Sequence, residues 1–167
     1  MPNVTFQGNH LTLEGSQIEV GKPAPAFTAV DGELKPVTLA DFEGKVKVIN
    51  TFPSIDTPVC NLQLKEFNKR ATSLGEDVVI IAVSKDLPFA LNRFCEANSI
   101  ANVKVLSDYQ ESSLGLAYGL LIKELKLLTR SIVIVDKSNT IQYIQIVDEI
   151  ANEPNYDEAM EALKAAV

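Results

Sequence analysis

The sequence contains one histidine, His10, two cysteines and no tryptophan. One imidazole and two thiols without a CxxC pair are too few soft ligands for a zinc site, so we expect no metal and no other cofactor. Residues 1–10 lack the basic and apolar segments of a signal peptide, which favours a cytoplasmic location. In that compartment two cysteines do not form a structural disulfide framework, so any function that they have depends on their reactivity as thiols.

Positive charge and long apolar segments are also scarce. The chain has 15 Lys and Arg residues against 22 Asp and Glu residues, a formal net charge of −7. Without a basic cluster it has nothing to pair with nucleic-acid phosphates or with an anionic membrane, so we expect neither partner. The apolar run at 78–83 is far shorter than the roughly 20 residues that a spanning helix needs.

Apolar material for a core is abundant. A chain of 167 residues that is 46% hydrophobic is typical of one compact domain, here residues 1–167. Runs rich in β-branched residues alternate with helical patterns, which favours an α/β fold with a central mixed sheet flanked by helices. The predicted strands lie at 46–52, 78–83, 103–106, 132–135 and 141–147, and an N-terminal β-hairpin is predicted from 4–7 and 11–13 around Gly8 and Asn9.

Four segments are predicted to be helical. Asp86 is expected to cap the second, with Pro88 in its first turn, and Asn155 to cap the last. A short helix is predicted near 112–118, followed by an irregular stretch. The first and longest helix carries one apolar stripe at steps of three and four, formed by Cys60, Leu64, Phe67, Ala71 and Leu74.

The start of that first helix carries the most informative residues. Thr57 is a suitable N-cap, and Pro58 suits the first helical position because the N–H that it lacks has no partner there. Cys60 is then the third helical residue, where free backbone N–H groups and the helix dipole favour an anion. Both effects favour a thiolate, the nucleophilic form of cysteine, at this position.

Burial in the core is the alternative interpretation of both cysteines. Cysteine is among the most buried residue types, and Cys60 lies on the apolar stripe of its helix. Cys95 lies within the second predicted helix beside Phe94, on its apolar side. The cap, the proline, the strand-to-helix junction and the presence of a second cysteine together favour a chemical role for Cys60.

The residues around Cys60 also resemble a known family. Pro53, Thr57 and Cys60 form the PxxxTxxC motif of the peroxiredoxins, thiol peroxidases with a thioredoxin-like fold. Further segments resemble the thiol peroxidase branch of that family, whose members are atypical two-cysteine enzymes. The matching segments lie at 6–8, 52–60, 86–90, 93–95, 147–150 and 153–154, so the resemblance extends over essentially the whole chain.

The resemblance implies a role for five residues. Cys60 would be the peroxidatic nucleophile, which becomes a sulfenic acid, and Cys95 the resolving cysteine, which forms an intrachain disulfide with it. Thr57 would orient the peroxide, Pro53 would shield the site from water, and Arg130 would correspond to the active-site arginine of the family. A guanidinium at that place would stabilise the charge that shifts onto the leaving oxygen.

The resemblance further implies hydrogen peroxide and organic hydroperoxides as substrates, thioredoxin as the reductant, a homodimer, and a role in antioxidant defence. Two other functions stay open on the residues alone. One is a thioredoxin-like disulfide exchanger, which the lack of a CxxC pair disfavours. The other is a non-enzymatic interaction module with two buried cysteines.

Overall fold

The computed structural model describes residues 2–167. Its helices are α1 Pro58–Ala71, α2 Pro88–Ala97, α3 Ser113–Tyr118 and α4 Tyr156–Ala166, with one 3₁₀ turn at Leu39–Phe42. Its strands are β1 Val4–Phe6, β2 Asn9–Leu11, β3 Leu13–Glu14, β4 Thr28–Val30, β5 Pro36–Thr38, β6 Val46–Thr51, β7 Val78–Ser84, β8 Lys104–Ser107, β9 Leu121–Ile122, β10 Ser131–Val135 and β11 Ile141–Ile146.

Seven of these strands form the central sheet, in the order β11-β10-β6-β7-β8-β4-β5. Strands β6, β7 and β8 run parallel, whereas β10 and β4 pair with this unit in antiparallel fashion. The antiparallel hairpin expected near the end of the chain is β10 with β11. The sheet is therefore mixed, and the predicted α/β architecture with helices around it is confirmed.

The sheet has an apolar layer on each face because side chains alternate along its strands. Val48 of β6 packs in the layer that contains residues of α1, α2 and α4. Its neighbour Ile49 packs in the opposite layer, with residues of α3. Strands covered on both faces have the nearly continuous apolar sequences that β7 and β10 show.

The predicted N-terminal hairpin is present, but its turn lies one residue earlier and its second strand is β2 at Asn9–Leu11 instead of 11–13. Gln7 and Gly8 form the turn between β1 and β2, with φ angles of 52° and 82°. Two positive φ values match the right-handed twist of a hairpin. Val4 and Leu11 of the hairpin pack with Ile150 in a third apolar cluster, which attaches the hairpin to the loop after β11.

Four strands and one cap differ from the sequence predictions. Strands β3, β4, β5 and β9 were not expected, because segments of two or three residues show no periodicity. The predicted cap at Asp86 is wrong, since Leu87 is the N-cap of α2 and no side chain caps that helix. The predicted cap of α4 is confirmed, because Asn155 accepts a hydrogen bond from the N–H of Glu158. No helix within 2–167 has the length and apolar character needed to cross a membrane.

Candidate active site

The first turn of α1 begins where the sequence predicts. Thr57 is the N-cap, Pro58 is the first helical residue and Cys60 is the third. The hydroxyl of Thr57 does not cap the helix. It donates instead to the carbonyl of Ser54, at 2.9 Å, and so stabilises the turn that leads into the helix.

Cys60 lies against a buried guanidinium. Its side chain is fully buried, and Nη2 of Arg130 donates to its Sγ at 3.3 Å. Arg130 directly precedes β10, whose neighbour β6 leads into α1, so the sheet fixes both groups. A hydrogen bond from a cationic donor favours the charged form of its acceptor, which for cysteine is the thiolate.

Neutral groups hold the rest of the Arg130 side chain. Nε and Nη2 both donate to the carbonyl of Ile150, at 3.0 and 2.8 Å, and Nη1 donates to Oε1 of Gln63 at 2.7 Å. Arg130 is 2% exposed, and no carboxylate within 2–167 lies at salt-bridge distance from it. Because a buried cation without a counter-ion is costly, the sulfur of Cys60 is the group best placed to balance this charge.

A chain of amides supports Arg130 from behind. Gln63 is fully buried, and its Nε2 donates to Oδ1 of Asn50 at 2.9 Å and to the carbonyl of Thr51 at 3.2 Å. Nδ2 of Asn50 in turn donates to the carbonyl of Ile81 at 3.1 Å. Since Arg130 can only donate, Gln63 must present its oxygen to it, and the orientations of both amides follow.

Sequence reasoning missed Gln63 and Asn50. Gln63 lies one turn after Cys60 and one residue before Leu64, inside the apolar stripe of α1. A polar residue inside such a stripe was the available signal, because a buried amide needs hydrogen-bond partners. Asn50 gives the same signal within the apolar strand β6.

An apolar pocket of about 320 Å³ opens beside this cluster. The structure brings Pro53, Thr57 and Arg130 together in its wall. The wall also contains apolar side chains from the hairpin, from α1, from the loop after β11 and from the segment before β10: Phe6, Val59, Ile150, Ala151, Leu125 and Leu127. The pocket therefore offers an apolar surface that leads to a polar, cationic end.

Cys95 has different surroundings. It lies on α2, is only partly buried, and is a free thiol like Cys60. Burial raises the pKa of the Cys95 thiol, and the neighbouring carboxylate of Glu96 raises it further. Neither cysteine lines the pocket, but Cys60 is hydrogen-bonded to Arg130, which does.

The arrangement contains no cluster of metal ligands within the described part of the chain, since no three His, Cys, Asp or Glu side chains lie together in 2–167. The chemistry that it supports depends on a buried thiol, a guanidinium and an adjacent apolar pocket. A thioredoxin-like sheet with a cysteine at the start of its first long helix defines a class of thiol-based redox proteins.

Comparison with known proteins assigns the chain within that class. Residues 19–160 match the redoxin family. The thiol peroxidase of Bacillus subtilis is 46% identical over 167 residues, covering 100% of this chain and 99% of the relative. That of Streptococcus parasanguinis is 48% identical over 160 residues, covering 96% and 97%.

A solved structure agrees with these relatives. The crystal structure of a peroxiredoxin-like protein from Aquifex aeolicus superposes with a TM-score of 0.93 at 39% identity, covering 100% of this chain and 98% of that one. The chain therefore belongs to the redoxin family and, within it, to the thiol peroxidase group of the peroxiredoxins.

Proposed function

We propose that this protein reduces hydrogen peroxide and organic hydroperoxides through Cys60, with Cys95 as the resolving cysteine and thioredoxin as the reductant. One observation carries the proposal: Arg130 donates to the Cys60 sulfur at 3.3 Å while no carboxylate within 2–167 pairs with it. Such an arrangement favours a thiolate at the place where a peroxide must be attacked.

In the first step the Cys60 thiolate attacks the terminal oxygen of the hydroperoxide. The O–O bond breaks, the sulfur becomes a sulfenic acid, and the remaining oxygen leaves as an alcohol or water after it takes a proton. Arg130 stabilises the negative charge that develops on the leaving oxygen. Thr57 orients the peroxide from the pocket wall, and Pro53, which is buried beside it, keeps water from the sulfur.

In the second step the Cys95 thiol attacks the sulfenic sulfur. An S–S bond forms, and the oxygen of the sulfenic acid leaves as water. Because Cys60 is fully buried in the first turn of α1 and a disulfide needs Cα atoms within about 7 Å, we propose that 57–62 and 91–97 rearrange for this step. The dithiol of thioredoxin then reduces the disulfide and becomes oxidised itself.

The pocket supports a substrate with an apolar group. Phe6, Val59 and Leu127 form part of its wall, and Arg130 lies at its polar end. An alkyl hydroperoxide would place its chain against the apolar wall and its O–O bond near the cation. Hydrogen peroxide fits the same polar end, so we propose that both are substrates and that organic hydroperoxides have the lower KM.

The remaining parts of the proposal concern the molecule as a whole. We propose that residues 1–167 act as one domain, that the protein is a homodimer, and that it works in the cytoplasm in antioxidant defence and redox homeostasis. Light scattering at micromolar concentration tests the dimer, and a monomer under those conditions would contradict it.

Coupled turnover tests the chemistry. Peroxide consumption is followed with thioredoxin, its reductase and NADPH for the wild type and for Cys60→Ser and Cys95→Ser. We expect no consumption by Cys60→Ser, and about one equivalent per chain followed by arrest for Cys95→Ser. Turnover by Cys60→Ser would contradict the proposal, and reduction of protein disulfides without peroxide consumption would identify a disulfide exchanger instead.

A further inference from the structure

Asp86 lies between the end of β7 and the start of α2, beside the loop that precedes Cys60. Its carboxylate accepts three hydrogen bonds: from the hydroxyl of Ser54 at 2.7 Å, from the N–H of Ile55 at 2.8 Å and from the hydroxyl of Ser84 at 2.6 Å. The hydroxyl of Ser107 donates to its backbone carbonyl and so fixes Asp86 to β8.

Asp86 does not cap α2, the role that its place in the sequence suggests. Leu87 is the N-cap, and no side chain caps this helix. Asp86 instead bonds a segment 31 and 32 positions earlier in the chain. Besides its local bond to Ser84, the side chain therefore joins two segments that are distant in the chain.

The two segments that Asp86 joins each lead into a cysteine helix. Ser54 and Ile55 belong to the loop before α1, which carries Cys60, whereas Asp86 comes just before α2, which carries Cys95. The link continues through Ser54, whose carbonyl accepts hydrogen bonds from the hydroxyl and the N–H of Thr57. The carboxylate therefore holds the loop that shapes the first turn of α1.

We propose that Asp86 is a positioning residue that holds the 54–57 loop in the arrangement for peroxide attack and must release it before Cys60 reaches Cys95. This inference rests on the function proposed above and adds a control on its second step. While the bonds hold, the Cys60 sulfenic acid remains beside the pocket. When they break, the first turn of α1 is free to unwind and the disulfide forms with loss of water.

The release therefore decides between two fates of the sulfenic acid. A second peroxide oxidises it to sulfinic acid, with the peroxide reduced to alcohol or water, whereas Cys95 converts it to the disulfide. Stronger hydrogen bonds between Asp86 and the 54–57 loop lengthen the lifetime of the sulfenic acid, so a second peroxide has more time to oxidise it. Weakening that bond slows the first oxidation and lowers the ratio of sulfinic acid to disulfide.

The substitution Asp86→Asn tests this. It keeps the shape but removes the charge and exchanges one acceptor oxygen for a donor, and hydrogen bonds to a charged group are roughly twice as strong as neutral ones. Quenched-flow mass spectrometry measures the Cys60 oxidation rate, the disulfide formation rate and the sulfinic fraction at rising peroxide concentration. We expect about tenfold slower oxidation, as loss of one charge-assisted bond implies, with faster disulfide formation and less sulfinic acid.

Two further variants keep the test decisive. Ser54→Ala removes one of the three bonds to Asp86, together with the bond that Ser54 accepts from the N–H of Asp56 at 3.2 Å. It should change all three quantities in the same directions by less, even where Asp86→Asn folds poorly. Asp136→Asn is the matched control, because that carboxylate also accepts three hydrogen bonds, in the turn between β10 and β11. It should leave all three quantities unchanged.

The outcomes separate this inference from the proposed function. If the wild type forms no sulfenic acid or disulfide at Cys60, the proposed function fails. If the wild type forms both but Asp86→Asn and Ser54→Ala slow the two steps equally, change neither, or raise the sulfinic fraction, the role of Asp86 is wrong. Amide exchange of 54–60 in the reduced protein should be faster in both variants, with 131–135 unchanged.

Discussion

The two cysteines lie on consecutive helices that begin in the same way, yet their surroundings differ. Both α1 and α2 start with proline after a β-region N-cap. Cys60 is in the first turn of its helix, fully buried against Arg130. Cys95 lies in the later part of α2, only partly buried, where burial and Glu96 raise its pKa. Position in the helix, degree of burial and the sign of the nearest charge therefore distinguish the proposed nucleophile from the proposed resolving thiol.

Removing the guanidinium of Arg130 should have the largest effect on the difference in reactivity between Cys60 and Cys95. Replacing Arg130 with Gln removes the donor to the Cys60 sulfur and the charge that stabilises the leaving oxygen. We expect Cys60 oxidation to slow by about 100-fold or more, the effect typical of losing a transition-state donor. Stopped-flow peroxide oxidation in the Cys95→Ser background measures it.

Arg93→Gln is the control for that substitution, because Arg93 is exposed on α2. It should not change the rate. An Arg130→Gln protein that is folded by circular dichroism and still oxidises at the wild-type rate would show that the guanidinium has no part in the reaction.

A negative charge at position 63, next to Arg130, should also reduce the difference in reactivity between the two cysteines, but by less than the loss of Arg130. In Gln63→Glu a carboxylate would lie where an amide oxygen now accepts from Arg130 at 2.7 Å. It would compete with the Cys60 sulfur for the positive charge. We expect alkylation of Cys60 at neutral pH to slow by about tenfold, the effect of about 1.4 kcal/mol.

Gln110→Glu adds the same charge at an exposed site and should leave the alkylation rate of Cys60 unchanged. An alkylation rate that Gln63→Glu does not change would mean that the group at position 63 has no influence on how Arg130 acts on Cys60.

Weakening the hydrogen bonds between Glu149 and the hairpin should change the reactivity of Cys60 but not that of Cys95. The Glu149 carboxylate accepts hydrogen bonds from the N–H groups of Ala151 and Gly8 and from the Thr5 hydroxyl. These bonds lower its pKa from 4.5 to about 2, and they hold the loop whose Ile150 carbonyl binds Arg130. Glu149→Gln should slow Cys60 oxidation severalfold and leave Cys95 alkylation, measured in a Cys60→Ser background, unchanged.

The same carboxylate predicts a pH dependence of stability. Because its pKa is lower in the folded protein, its contribution is fully present above about pH 4.5 and is lost as the pH falls through 2. Thermal unfolding should therefore show a gap between wild type and Glu149→Gln at pH 6 that closes toward pH 2. A gap that widens on acidification would contradict the assignment.

The smallest change concerns Cys95. Removing the charge of Glu96 should lower the Cys95 pKa, since that carboxylate is the second cause of its elevation after burial. The charge is on an exposed side chain, so the alkylation rate of Cys95 at pH 8 should rise only about twofold or less in Glu96→Gln. A slower rate would mean that Glu96 does not act through its charge.

The contrast between the two cysteines also shows which features can be predicted from the sequence alone. The cap, the proline and the third-position cysteine follow from local rules, and the structure places α1 as they predict. The strands β6, β7 and β10 were predictable from their apolar runs. These features depend on neighbours in the chain.

The remaining features depend on distant contacts. Gln63 meets Arg130 from 67 positions away, and Asp86 bonds Ser54 instead of its own helix. Leu125 and Leu127, which line the pocket, belong to a segment whose sequence has no clear periodicity. Local patterns carry no information on such pairings, which only the sheet order brings together.

The central claim is that peroxide attacks Cys60 first and that Cys95 reacts only with the product. The most direct test is peptide mass spectrometry of the reduced protein after one equivalent of peroxide, in the wild type and in each single-cysteine variant. We expect a Cys60–Cys95 intrachain disulfide in the wild type, sulfenic acid on Cys60 in Cys95→Ser, and no oxidation in Cys60→Ser. Sulfenic acid on Cys95 in Cys60→Ser, formed at the rate of the wild-type reaction, would contradict it.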